Sequence, residues 1–433
     1  MNIDPSEEKI KSFLESNSLD RNRFLNSLLS IIQTSPDNVI IDLNGDWGSG
    51  KTVIAKEIQM IQAGATAKDI DEEIAQDIRT DYAVFYYNAW ENDQYDPAES
   101  ILFQLISAYW KGSEKLANEV LATAKSFVSK TIETVSFGLI CPDDVQTKDK
   151  TKDWIAELKE TNQKKEAASN IIANTLDNTK KKHLLFIIDE LDRCNPAFAI
   201  KLIEVIKHYF SGERVKVLFL TNNQQLSSII ENNYGEKFSG YEYLNKIFDL
   251  IIDIPIVDRR TFISSHNLEN ADFDAITAIA DYYSMSLREI ERFIILYQVS
   301  SQYLNSHILR DVASRPTPLK YFTKHLLLPM ILGAKIKNQN DYTALIALNE
   351  RGRDVMKNIA STSYGTDIMR NCHSPTAPIS IDTLYNELKF HNDRSSTYNI
   401  DPQAIYQLIS EMVSVIGIIP ANINNSTQGE ENA

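Results

Sequence analysis

The chain has 433 residues, of which 43% are hydrophobic and 24% are charged, proportions that are typical of a globular protein and exclude a fibrous or disordered one. Its formal net charge of -15 opposes non-specific binding to nucleic-acid phosphates, so nucleic acid is not indicated as a partner. The length favours two domains over a single core.

The cysteines, the N-terminal residues and the apolar runs bear on the cellular location of the protein and on membrane attachment. Cys141, Cys194 and Cys372 are widely spaced and odd in number, so they predict neither a zinc site nor a disulfide framework. The N-terminal residues are acidic and amphipathic, unlike an export signal. The apolar runs fall far short of the roughly 20 residues that a membrane-spanning helix needs. We therefore expect a cytoplasmic protein with no membrane attachment.

The first predicted element is a helical lead-in over residues 1–36. Residues 21–33, RNRFLNSLLSIIQ, place their apolar side chains largely on one helical face, with Asp20 at the N-cap position. A strand is predicted at 39–44, followed by the loop GDWGSGKT and a half-buried helix. Strand, glycine-rich loop and helix therefore occur in that order.

Three further buried strands are predicted at 83–90, 184–189 and 215–221, with helical segments between them. This alternation predicts an α/β fold whose parallel sheet is covered by helices, within a core domain of residues 37–256. The hydrophilic segment of about 112–182 predicts a helical insertion in that core. Its mixed charges favour a solvated helix face, with a partner-binding surface as the alternative.

After residue 256 the pattern turns helical. Residues 257–313 predict a helical lid, and the prolines and polar residues near its end mark a boundary. A mainly helical C-terminal domain is expected over 314–421. Residues 422–433 are polar and predict a disordered tail.

The loop GDWGSGKT matches the phosphate-loop pattern G-x-x-x-x-G-K-[ST] between a predicted strand and a predicted helix. Glycines let successive backbone N–H groups curl around phosphate oxygens at the positive end of the helix. Lys51 is expected to meet the β- and γ-phosphates, and Thr52 offers a hydroxyl to magnesium. The predicted nucleotide-binding residues are Gly45, Asp46, Trp47, Gly48, Ser49, Gly50, Lys51 and Thr52.

A second motif, LLFIIDELDRC, places Asp189 at the end of a buried strand, where magnesium coordination needs a carboxylate. Glu190 follows directly and is the candidate general base for the attacking water. Arg193 is a candidate catalytic residue, with a salt bridge between Asp192 and Arg193 that fixes the loop as the alternative. The sequence therefore predicts an acidic half-site to complement the phosphate loop.

Three other features are further candidates for the site. Asn222, after the fourth strand, is a candidate to hold water or sense the γ-phosphate, although turn chemistry explains it almost as well. Arg288 lies on a helix of the lid and is either a phosphate contact or a partner of neighbouring glutamates. For the aromatic group of Tyr86, Tyr87 and Trp90, buried packing is favoured over lining the site.

The order of these pieces resembles the KAP family of P-loop NTPases, which is related to the STAND ATPases. The resemblance spans about residues 20–296 and rests on DRNRFLNSLLSII, GDWGSGKT, FYYNAWENDQYDPAESILFQLI, FIIDELDRCNPAFAIKLIEVIKHYF and YLNKIFDLIIDIP. It implies phosphate-loop roles for Lys51 and Thr52, acidic roles for Asp189 and Glu190, and a lid position for Arg288. Many relatives have transmembrane helices between the two nucleotide motifs, whereas this insertion is hydrophilic.

We therefore expect an ATP-hydrolysing molecular switch that uses ATP and Mg²⁺. A protein partner or effector is expected at the insertion or the C-terminal region, and a homo-oligomer is one expected assembly. The resemblance connects such chains with bacterial antiphage and plasmid exclusion systems. The alternatives are a nucleotide-dependent scaffold with little hydrolysis and a P-loop kinase. ATP is favoured over GTP because the chain has no N-K-x-D string.

Overall fold

The computed structural model describes residues 6–109, 150–235, 237–266, 268–304 and 321–371. The chain divides into two compact units, one spanning Pro5–Ile256 and the other formed from Val257 onward. Some predictions lie outside the described residues, namely those for residues 112–149, 310–320, 372–421 and 422–433.

The first unit is built on a parallel sheet of five strands in the order β2-β3-β4-β1-β5. The strands are β1 Ile40–Asn44, β2 Tyr82–Asn88, β3 His183–Asp189, β4 Val215–Thr221 and β5 Leu250–Asp253. The predicted α/β fold with a parallel sheet is confirmed, and the first four strands lie where the sequence predicts them. The fifth was not predicted as a strand. Among the described strands it pairs with β1 alone, and its side chains are largely exposed, so it lacks the buried pattern of the others.

Nine helices of the first unit lie in the described part of the chain. They are α1 Glu7–Ser16, α2 Asn22–Thr34, α3 Lys51–Gln62, α4 Glu72–Asp81, α5 Pro97–Tyr109, α6 Lys150–Thr179, α7 Pro196–Val205, α8 Asn223–Tyr234 and α9 Gly240–Ile247. Short 3₁₀ turns follow β2 at Trp90–Asn92 and β3 at Leu191–Arg193, and a π-helical turn at Ile206–Phe210 continues α7. Within the predicted insertion, α6 covers residues 150–179.

Helices cover both faces of the sheet because successive side chains of each strand point to opposite sides. On β3, Leu185 and Ile187 join one core cluster, which includes side chains of α2, α3 and α4. Leu184, Phe186 and Ile188 join the other, which includes side chains of α5, α7 and α8. A central strand that is buried on both faces reads as a continuous apolar run, which is how the sequence reveals it.

The lead-in helix α2 is fixed at both ends. It begins at Asn22, so the prediction of Asp20 as its N-cap is wrong: Arg21 holds that position and its side chain does not cap the helix. Asn22 donates to the carbonyls of Leu14 and Lys68 at 2.7 and 2.6 Å. At the other end the buried Lys216 of β4 donates to three carbonyls, those of Ile32, Gln33 and Ser35.

In the second unit, every element that the structure describes is helical. The helices are α10 Arg259–Ser264, α11 Asn270–Tyr282, α12 Leu287–Tyr303, α13 Leu328–Lys337, α14 Gln339–Ile346, α15 Glu350–Ala360 and α16 Ser363–Asn371. A π-helical turn, Thr323–Leu327, precedes α13. A capping box of Ser286 and Glu289 starts α12, because each side chain accepts from the backbone of the other residue.

Candidate functional site

The loop of residues 45–50 joins the carboxyl end of β1 to the first turn of α3. Gly48 and Gly50 have φ angles of 79° and 91°, which glycine adopts without steric strain. Gly50 is the N-cap of α3, so the N–H groups of the first turn have no intrahelical acceptor. Backbone donors and the positive end of a helix dipole therefore meet at this loop, and both favour an anion.

Lys51, the first residue of α3, is 8% exposed. Its ammonium donates to the carbonyl oxygens of Gly45 and Asp46, at the start of the same loop. Burial lowers the pKa of Lys51. Four surrounding carboxylates raise it again, those of Asp192, Asp189, Glu190 and Asp42. The ammonium is therefore a positive centre within an acidic cluster.

Asp189, the last residue of β3, connects the second motif to the loop. Its Oδ2 accepts hydrogen bonds from the hydroxyls of Thr52 at 2.7 Å and Tyr86 at 3.0 Å. Its Oδ1 accepts from the backbone N–H of Glu190 at 2.8 Å. Burial raises the pKa of Asp189, and these three hydrogen bonds lower it. A hydroxyl from one motif and a carboxylate from the other thus lie in direct contact.

Glu190 has a left-handed backbone conformation, with φ 62° and ψ 23°. Residues other than glycine seldom adopt this conformation, and such strain clusters at functional sites. Its carboxylate forms an ion pair with the Nε of Arg193, and the Arg193 guanidinium lies 5.6 Å from the centre of the Trp90 ring. The structure thus pairs Arg193 with Glu190. The alternative to a catalytic role was a pair with Asp192, which instead accepts a hydrogen bond from Trp47.

A second contact between the motifs runs through Trp47. Its indole Nε1–H donates to Oδ2 of Asp192 at 2.6 Å, and Asp192 is buried. Together with the bond between Thr52 and Asp189, this contact fixes the phosphate loop against the segment that follows β3. Nothing in the sequence indicates it, because the two residues are 145 positions apart.

Asn222, at the end of β4, contacts both a helix and the loop. Its side-chain oxygen accepts from the N–H of Gln225 at 3.2 Å and caps α8, which is the turn chemistry considered above. Its Nδ2 lies 3.5 Å from Oδ1 of Asp46. The residue is therefore close to the phosphate loop while it serves as a helix cap.

A buried polar network lies behind these residues. Asp42 of β1 is fully buried and accepts hydrogen bonds from the Thr221 hydroxyl and the Asn223 side-chain amide, both at 2.7 Å. Burial raises the pKa of Asp42 to about 7, although these hydrogen bonds and the charge of Lys51 oppose the shift. Between about pH 4 and about pH 7, the folded protein therefore holds a proton on Asp42 that the unfolded chain has already released.

This proton predicts a pH-dependent stability. A carboxyl whose pKa is higher in the folded state stabilises the fold at low pH, and the stabilisation falls as pH rises from about 4 to about 7. Asp42→Asn removes the titratable group. The new amide can still form hydrogen bonds, because the Thr221 hydroxyl can donate to the side-chain oxygen of Asn223 and so accept a hydrogen bond from residue 42. Between pH 5 and pH 8 the unfolding free energy of the wild type should fall by roughly 2–3 kcal/mol relative to Asp42→Asn.

Urea unfolding of both proteins at the two pH values measures this difference. Other buried acids such as Glu57, whose pKa burial also raises to about 7, titrate in both proteins and cancel. Parallel stability curves for the wild type and Asp42→Asn would show that Asp42 is ionised in the fold throughout this range.

Within the first unit, the structure brings most of the predicted site residues together. These are the loop residues 45–52 with Asp189, Glu190, Arg193 and Asn222. Arg288 belongs to the second unit, where it is an exposed residue of α12. The sequence reasoning missed Tyr86 as a contact of Asp189. The alternation of β2 was a usable signal, since it puts Tyr86 and Tyr87 on opposite faces of the sheet.

The residues present fit a nucleotide with a magnesium ion. Magnesium in such sites is held by one or two protein carboxylates together with substrate phosphates and water. Thr52 and Asp189 provide a hydroxyl and a carboxylate oxygen 2.7 Å apart beside an anion-binding loop. In the described ranges, no group of three or more His, Cys, Asp or Glu side chains could form a metal cage. The arrangement therefore suits a metal ion that takes some of its ligands from the protein and the rest from phosphates and water.

Two comparisons with known proteins bear on this site. The model of the KAP family P-loop domain matches residues 21–303, which is more than half of the chain and includes both motifs. No curated protein matches the chain. Within the described ranges, the structure has no helix with the length and apolar character needed to cross a membrane.

Proposed function

Because this chain belongs to the KAP family of P-loop NTPases, we propose that it binds ATP with magnesium and hydrolyses it as a molecular switch. The observation that carries the proposal is the hydrogen bond of 2.7 Å between the Thr52 hydroxyl and Asp189. It joins the phosphate loop to the acidic end of β3, and nucleotide hydrolysis depends on these two elements acting on one phosphate chain.

In this proposal the loop N–H groups and Lys51 bind the β- and γ-phosphates, while Thr52 and Asp189 hold magnesium. A bound magnesium ion supplies positive charge that stabilises the phosphates in the transition state. The site needs such cations, because the acidic side chains of Asp192, Asp189 and Glu190 around Lys51 would otherwise repel a nucleotide polyanion.

Glu190 orients and deprotonates the attacking water. In the described structure its carboxylate is paired with Arg193, so the pair must open before Glu190 can accept a proton. Arg193, once released, is free to approach the γ-phosphate. Asn222, which already lies beside Asp46, senses whether that phosphate is present.

The switch is read out by the helical region that follows the sheet. We assign residues 1–36 as the lead-in, 37–256 as the nucleotide core, 257–313 as a lid that carries Arg288, and 314–421 as the C-terminal domain. The γ-phosphate orders the loops after β3 and β4, and the C-terminal region transmits that state to a protein partner. A role in bacterial antiphage or plasmid exclusion systems follows from the family resemblance.

Steady-state phosphate release from the full chain tests this function. Release from ATP that requires magnesium and no added acceptor is expected for the switch, with a slower rate from GTP. Transfer of phosphate to an added acceptor would indicate a kinase instead. Tight ATP binding without release or transfer would indicate a scaffold, and absence of ATP binding would overturn the proposal.

A further inference from the structure

A buried arginine lies behind the phosphate loop. The side chain of Arg21 is 4% exposed, and its Nη1 donates to the carbonyl oxygen of Ser49 at 3.2 Å. A Cβ atom at Gly50 would lie only 2.5 Å from the same nitrogen. The guanidinium therefore occupies space that is open only because residue 50 is glycine.

The guanidinium is incompletely paired. Its Nε and Nη2 are buried and have no hydrogen-bond partner among the residues that the structure describes. Burying a charged group without full hydrogen-bond pairing is unfavourable, so an incompletely paired buried guanidinium calls for a functional explanation. Burial lowers the pKa of Arg21 to about 10, which still leaves the group positively charged at neutral pH.

Glu57, on α3, is the acid whose charge acts on Arg21. It is 3% exposed, and burial raises its pKa to about 7, while Arg21 lowers it. Near neutral pH this carboxyl is only partly ionised and offsets only part of the guanidinium charge. A net positive charge thus remains directly behind a loop whose backbone is arranged for an anion.

The position of Arg21 is fixed before any nucleotide arrives. It precedes α2, whose first residue is bonded to the carbonyls of Leu14 and Lys68 and whose carboxyl end is capped by Lys216. A charged group that is already held in place loses little conformational entropy when the nucleotide binds. Its attraction to phosphate is also stronger in a low-dielectric surrounding than in water.

We propose that Arg21 is a positioning residue of the nucleotide site, which holds the Ser49 carbonyl at the back of the phosphate loop and strengthens phosphate binding with its charge. This inference rests on the proposed nucleotide function and adds a residue that makes no contact with the nucleotide. It implies that the contribution of Arg21 grows with the number of phosphate charges on the ligand. It also implies that Glu57 weakens phosphate binding when ionised.

Titrations of the full chain with ATP, ADP and AMP at pH 7 test the proposal. Arg21→Gln keeps a donor for the Ser49 carbonyl but loses the charge, so its affinity for ATP should fall by about 10- to 100-fold, for ADP by less and for AMP hardly at all. Arg21→Lys, which retains the charge, should recover most of the ATP affinity. Glu57→Gln should tighten ATP binding by about two- to tenfold, because it removes the opposing charge.

Lys216→Met provides the structural control, since it loosens the far end of α2 and leaves the charges at the loop unchanged. It should lower the thermal midpoint of unfolding, and any loss of affinity should be the same for ATP, ADP and AMP. Equal losses of Arg21→Gln for the three nucleotides, or none, would overturn the inference. If Arg21→Gln does not fold, the Glu57→Gln protein decides the question: ATP binding no tighter than that of the wild type would overturn the inference. A wild-type chain that binds none of the nucleotides would instead overturn the proposed function itself.

Discussion

The Lys51→Ala protein is expected to bind ATP about 30- to 5,000-fold more weakly than the wild type and to keep its fold. The ammonium is 8% exposed, and losing one partner of a buried charge pair costs roughly 2–5 kcal/mol. Without it, the carboxylates of Asp189, Glu190 and Asp192 face the phosphates with less opposing charge. The fold should survive because the carbonyls that Lys51 contacts belong to Gly45, which is half-buried, and Asp46, which is exposed.

Equilibrium titration with ATP and magnesium measures this effect, and the thermal midpoint without nucleotide reports on the fold. Lys56→Ala is the matched control, since it removes the same charge from the same helix but outside the loop. The control should bind ATP within about twofold of the wild type. A folded Lys51→Ala protein with wild-type affinity would show that this loop is not the phosphate site.

The features that the sequence predicts correctly are those set by local chemistry. The buried strands β3 and β4 appear as continuous apolar runs, and the spacing of GDWGSGKT predicts a loop between a strand and a helix. The glycines at 48 and 50 allow this loop, because their positive φ angles are ones that only glycine adopts freely. In each case the residues that determine the structure are neighbours in the chain.

Most of the features that were missed depend on partners that are distant in sequence. β5 is held by its backbone pairing with β1, and its Leu250 and Ile251 are exposed, so no burial pattern marks it. The start of α2 was misplaced by one residue because Asp20 has a left-handed backbone, with φ 51°, and not the extended conformation typical of an N-cap. The strand order follows from pairings between segments far apart, which a single sequence does not show.

The same distinction applies to the site. The residue types and order of Asp189 and Glu190 are visible in the sequence. The ion pair of Glu190 with Arg193 was not predicted, because the sequence pointed to Asp192 as the partner of Arg193. The contact of Tyr86 with Asp189 needs the parallel pairing of β2 with β3, which places the two strand ends side by side. The identity of the site residues is therefore easier to predict from sequence than the contacts that their side chains make.

Glu190→Gln is expected to bind ATP like the wild type and to hydrolyse it about 10²–10⁴-fold more slowly. That factor corresponds to roughly 3–5 kcal/mol of activation free energy. The amide retains an oxygen that can accept from Arg193, so the local structure and the left-handed turn should persist. It is not basic enough to take a proton from water, so the chemical step alone is affected.

Single-turnover hydrolysis measured beside equilibrium ATP binding separates the two effects. Glu91→Gln is the matched control, because it removes the same charge from the exposed turn that follows β2, where Glu91 accepts a hydrogen bond from Asn88. Its hydrolysis should stay within about twofold of the wild type. Unchanged hydrolysis by Glu190→Gln would show that Glu190 is not the base. Loss of ATP binding together with hydrolysis would place Glu190 beside Asp189 among the magnesium ligands, because a residue that acts only on the water leaves the bound nucleotide in place.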